Sequence, residues 1–166
     1  RYVTVVENNH VDILFYTDTN AHVQYYRVLR SNDPAGPFEE AGIAQDNGSA
    51  SISFSDFGVD VNSSSYYYQI EVVDSCGRPS IIANTSRTIF LRAEALPDYS
   101  NRLTWNAYES WQGSMLGYNV YRRLDDAAPE LIATLDSMTL TYIDNTSGFT
   151  GSVSKITYIV EAFEGE

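Results

Sequence analysis

Tyr68-Gln69-Ile70-Glu71-Val72 and Tyr158-Ile159-Val160-Glu161-Ala162 stand 90 positions apart (158 − 68), and the second closely matches the first. Apolar and polar residues alternate in the first copy, and the second keeps the same inward set, Tyr158, Val160 and Ala162. Tyr68, Ile70 and Val72 therefore face one side of an extended strand, while Gln69 and Glu71 face the other. Three more pairs recur in the same order. Phe15 matches Trp105, Tyr26-Arg27-Val28-Leu29-Arg30 matches Tyr118-Asn119-Val120-Tyr121-Arg122, and Phe54-Ser55-Asp56 matches Tyr142-Ile143-Asp144, at spacings of 90, 92 and 88 positions. Four anchors in one order with so little drift define two homologous modules.

Turn signals punctuate the anchors: Ser31-Asn32-Asp33-Pro34, Asp46-Asn47-Gly48, Ser63-Ser64-Ser65, Asp125-Asp126 and Asn145-Thr146-Ser147-Gly148. Short strands at this cadence predict β-sandwiches, and no long segment has the three-to-four spacing of an amphipathic helix. The first module is predicted to carry seven strands, at 2–6, 11–17, 23–30, 38–44, 50–55, 66–74 and 80–86. The second is predicted to carry six, at 88–95, 100–106, 117–123, 130–135, 140–143 and 154–163, so its last strand is absent or lies beyond the sequence. The modules divide as 1–86 and 87–166. A sixth strand without an outer neighbour would leave an edge open to strand addition.

Composition agrees with an all-β class. Apolar residues make up 43% of the 166 residues and charged residues 19%, enough for a packed core. The 13 tyrosines suit half-buried pleated surfaces. A formal net charge of −12 argues against nucleic acid and anionic lipid surfaces as partners. No apolar run reaches the ~18 residues of a membrane span, so no membrane insertion is expected. The chain opens directly on strand-like sequence, which reads as a piece of something longer. Cys76 is the only cysteine, so no internal disulfide can form, and it is expected to be a buried thiol or to pair outside this sequence.

The strings LTWNAY (103–108), GYNVYRR (117–123), TYID (141–144) and TYIVEA (157–162) resemble a fibronectin type III domain. The resemblance implies a non-catalytic sandwich in which the sixth-strand tyrosine, Tyr158 and by repeat Tyr68, forms the tyrosine corner. The first module departs from the pattern, with Phe15 where the tryptophan would sit. Residues 72–123 further resemble the repeats just upstream of the gliding-motility-associated C-terminal domain in large secreted proteins of the Bacteroidota. That likeness implies a secreted or cell-surface location, a spacer or adhesive role and other domains of the same parent chain as neighbours.

No catalytic grouping stands out, so no catalytic residue and no cofactor are expected. His10 and His22 are the only histidines, and no Gly-x-Ser-x-Gly elbow accompanies them. Two histidines and one cysteine make a poor zinc set. The acidic loops at Asp46-Asn47, Asp56 to Asp60, Asp125-Asp126 and Asp144-Asn145 lack the spacing of a calcium loop, so no metal is expected; Asp56 and Asp144 instead read as caps of turns. Contact with a surface protein or a glycan is expected to fall on Trp111 and Tyr108, in the loop between the second and third strands of the second module, and on Tyr67, the outward member of Tyr66-Tyr67-Tyr68. The competing reading folds Trp111 back to plug the core. Asn-x-Ser/Thr triplets at Asn47, Asn62, Asn84 and Asn145, and Asp136-Ser137-Met138, are short motifs that place loops and specify little else.

The expected function is thus a non-catalytic structural or adhesive module of a larger extracellular protein. A glycan-binding module using loop aromatics and an accessory module of a secreted hydrolase are the alternatives.

Overall fold

A computed structural model describes residues 2–81, 84–109, 114–149 and 151–165. It contains no α-helix among these residues, only strands and one turn of 3-10 helix at Ser147–Phe149. The chain divides into two compact units. Unit 1 comprises Arg1–Phe90 with Tyr108–Gln112, and unit 2 comprises Leu91–Ala107 with Gly113–Glu166.

In unit 1, β1 (Tyr2–Val6), β2 (His10–Tyr16) and β5 (Ser51–Asp56) form one antiparallel sheet in the order β1-β2-β5. The other sheet runs β4-β3-β6-β7, from β3 (Val23–Ser31), β4 (Glu39–Gln45), β6 (Tyr67–Asp74) and β7 (Pro79–Ile81), with β8 (Ser86–Arg87) also paired to β6. The alternation read from sequence is what builds the core. Val11, Ile13 and Phe15 of β2 meet Tyr26 and Val28 of β3 and Tyr68 and Ile70 of β6, all of them buried. The ring of Phe15 meets the edge of Tyr26 at 5.1 Å.

The strand predicted over 80–86 is two pieces. Continued in β7's register, the residue facing Tyr68 would be Asn84, but Ser86 stands there instead. The two pairings with β6 therefore differ by two positions of register. Thr85 Oγ1 accepts a hydrogen bond from Gln69 Nε2 at 2.9 Å beside this interruption.

In unit 2, β9 (Leu91–Leu96), β10 (Ser100–Trp105) and β13 (Thr141–Asn145) form a sheet ordered β13-β10-β9. The strands β11 (Met115–Leu124), β12 (Glu130–Asp136) and β14 (Ile156–Glu164) form the second, ordered β12-β11-β14. Leu103, Trp105, Tyr118 and Val120 are its most buried apolar side chains. Trp105 meets Tyr118 edge-on at 5.6 Å, the same pairing that Phe15 and Tyr26 make in unit 1. Among the described strands β14 pairs with β11 alone, and Tyr158 and Val160 are half-buried where Tyr68 and Ile70 are fully buried.

Candidate functional site

A polar grouping in each unit joins its two sheets. In unit 1, Asp56 at the end of β5 reaches across to β3 and β6. Its Oδ2 accepts from Arg30 Nη1 at 2.7 Å and from the Tyr68 hydroxyl at 2.9 Å. Its Oδ1 accepts from Arg30 Nη1 and from the Gly58 backbone N–H, both at 2.9 Å. Arg30 and Tyr68 are opposite each other across β3 and β6, which is why one carboxylate meets both. The Arg30 guanidinium also lies 5.8 Å from the Tyr66 ring centroid.

Unit 2 repeats the arrangement. Asp144 on β13 accepts from Arg122 Nη1 at 2.8 and 3.1 Å and from the Tyr158 hydroxyl at 2.8 Å, and Arg122 and Tyr158 are again cross-strand partners. Two partners are added: Arg122 Nη2 donates to Glu130 at 3.2 Å, and Asn101 Nδ2 donates to the Tyr158 hydroxyl at 2.8 Å. Arg122 lies over the Phe149 ring at 4.5 Å. The sixth-strand tyrosine of the fibronectin pattern therefore anchors to a carboxylate held by an arginine. Burial opposes the charge on Arg30 and Arg122, but the facing carboxylates outweigh it and both guanidinium groups are raised above the ordinary arginine value.

The phenols respond in the direction expected of an acid that would ionise beside an anion. Burial first, and Asp56 second, push Tyr68 up. Tyr158 is pushed up to about 12, by burial foremost and by Asp144, with the Asn101 hydrogen bond acting the other way. An unfolded tyrosine titrates near about 10, so between about pH 10 and 12 the unfolded chain holds fewer protons than the native one. Stability from Tyr158 is complete below that window and is lost as pH rises through it. Urea midpoints of unit 2, followed by the amide NMR signals of β14, are expected to fall more steeply across it in the wild type than in Tyr158→Phe. Equal slopes would remove Tyr158 as the cause.

The contact residues expected from sequence fare differently. Trp111 lies outside the described residues. Tyr67 does not face outward to solvent: it is 6% exposed, because β8 pairs alongside it and the Arg87 guanidinium covers its ring at 4.9 Å. Tyr108 is half-buried and packs on the unit 1 core, its hydroxyl 3.4 Å from the Val3 N–H. Its neighbour Glu109 bridges to β8, the carbonyl accepting from Arg87 N at 2.8 Å and from Ser86 Oγ at 2.6 Å. Tyr67 and Tyr108 are thus both packed within unit 1.

Cys76, open as buried or externally paired on sequence grounds, is exposed in the turn between β6 and β7. The acidic loops are occupied by their own backbone. Asp46, Asp56, Asp60 and Asn145 each accept from the N–H two residues on, at 2.9–3.1 Å, and Asp125 Oδ1 accepts from Ser154 and Lys155 N–H at 3.0 and 2.9 Å. The capping role read for Asp56 is thus present, and the ion pair with Arg30 is the part the sequence did not reveal.

No protein-family model matches the sequence, and no curated protein matches it. Among solved structures it is similar to a two-domain fibronectin type III segment of chicken tenascin, at 14% identity and a TM-score of 0.38, covering 99% of this chain and 97% of that one. It is also similar to the FN1-FN3 domains of chicken CNTN1, at 11% identity and a TM-score of 0.38, covering 98% of this chain and 60% of that one. The fold class is all-β, two compact units each built of two antiparallel sheets.

Proposed function

We propose that the chain is a non-catalytic tandem module that spaces and presents neighbouring domains of a larger secreted or cell-surface protein. The observation that carries this reading is the duplicated Arg–Asp–Tyr cluster. The best-organised charged groups of both units, Arg30 with Asp56 and Arg122 with Asp144, are spent on joining sheets, and the loop carboxylates on closing turns. The setting belongs to the same proposal: the parent is a secreted surface protein of the kind that the sequence of residues 72–123 resembles. Labelling of the parent protein on intact cells with an antibody to this region is expected to succeed; recovery of the parent from cytoplasm alone would overturn the reading.

A further inference from the structure

The outward face of the β1-β2-β5 sheet carries rings that the scaffold does not require. Tyr2 is 45% exposed, Tyr16 54% and Phe57 66%, and Phe57 stacks on His10 with centroids 4.4 Å apart and planes at 29°. Pairing registers place Tyr2 beside Leu14 and leave Tyr16 and His10 at opposite ends of β2, about 20 Å apart at strand rise. Between them lies Asp12, whose Oδ1 is 3.2 Å from His10 Nε2 and accepts from Ser55 Oγ at 2.6 Å.

Unit 2 provides an internal control. Its sheet pairs in the same registers, displaced by 90 positions in β9 and β10 and by 88 in β13. The counterparts of Tyr2, His10, Tyr16 and Phe57 are Arg92, Ser100, Asn106 and Asn145, none of them aromatic. A sandwich of this repeat family forms without rings at these positions, so their exposure in unit 1 calls for a reason other than folding.

Charge selects the ligand. The face has one carboxylate, already engaged by an imidazole and a hydroxyl, while the chain as a whole carries −12. A polyanion is repelled by that total, and a polycation finds a single carboxylate on the face, its Oδ1 already engaged. An uncharged ligand with flat C–H faces to stack on the rings and hydroxyls to meet Asp12 and Ser55 matches it. We propose that this face binds a neutral linear polysaccharide, laid along β2 from Tyr16 to the Phe57–His10 pair. The proposal is separable from the spacer reading, since a surface spacer can lack a ligand and a binding face can exist in any compartment.

Affinity electrophoresis of the 166-residue chain through gels containing mixed-linkage glucan, xylan or galactomannan tests it, with alginate as the polyanionic control. Retardation is expected in at least one neutral gel. Tyr16→Ala and Phe57→Ala, both at exposed positions, are each expected to weaken it about three- to tenfold, and Ile143→Ser on the matching face of unit 2 to leave it unchanged. No retardation in any neutral gel, stronger retardation in alginate, or undiminished binding by the two aromatic variants would each overturn the proposal. So would light scattering showing that the face instead pairs two copies, with dimers lost in the same variants.

Discussion

Asp56→Ala is expected to destabilise unit 1 by about 2–4 kcal/mol, less than the full cost of breaking a buried ion pair because the Arg30 side chain left behind keeps 23% of its surface exposed. Asp56 is 3% exposed and takes hydrogen bonds from Arg30, Tyr68 and Gly58. Its removal strands a guanidinium and a fully buried phenol and also opens the turn after β5. The intact pair is not itself a large net gain, because taking both charges out of water offsets much of their attraction. That asymmetry gives a second result. Adding Arg30→Met to Asp56→Ala is expected to recover part of the loss, since no buried charge is then unpaired. Urea denaturation with unit 2 amide signals as internal reference measures both. If the double variant lost the sum of the two single losses, the cluster would not be a coupled unit.

Most of this fold was legible because strand alternation and the 90-residue repeat are local or one-dimensional signals. Every predicted strand but one appears within a few residues of its expected limits. The exception, 80–86, failed at a register shift that depends on which residues of β6 it pairs with. The same limit hid the Arg–Asp–Tyr cluster. Arg30, Asp56 and Tyr68 each lay in a recognised anchor, but separations of 26 and 12 positions become contacts only when two sheets are stacked face to face. Tyr67 is buried where alternation predicts an outward ring, because alternation gives a side chain's face and not what covers it; the cover is Arg87, 20 positions on. Nothing in the sequence alone singles out Tyr2, Tyr16 and Phe57, for the opposite reason. Tyr2 and Tyr16 sit in ordinary strand positions and Phe57 just past β5, and only the comparison with Arg92, Asn106 and Asn145 at the matching positions marks them as unusual.

Trp105→Ala is expected to cost unit 2 about 3–5 kcal/mol, as truncation of a large core aromatic does elsewhere. Trp105 is 6% exposed and fills the space against Tyr118. Trp105→Phe is expected to behave quite differently. The indole Nε1 is buried with no hydrogen-bond partner among the described residues, a burden of about 1–3 kcal/mol for an unsatisfied donor. Phenylalanine removes that donor along with part of the ring, and unit 1 already packs a phenylalanine, Phe15, edge-on to the matching tyrosine. Relief of the donor offsets most of the lost volume, so Trp105→Phe should stay within about 1 kcal/mol of the wild type. The reverse change, Phe15→Trp, adds both volume and an unpartnered N–H to a core that holds Phe15 at 2% exposure, and is expected to cost about 1–3 kcal/mol. Urea midpoints of the three variants decide the matter: a Trp105→Phe loss as large as that of Trp105→Ala would mean that the full indole, and not merely an aromatic ring, is what unit 2 requires at this position.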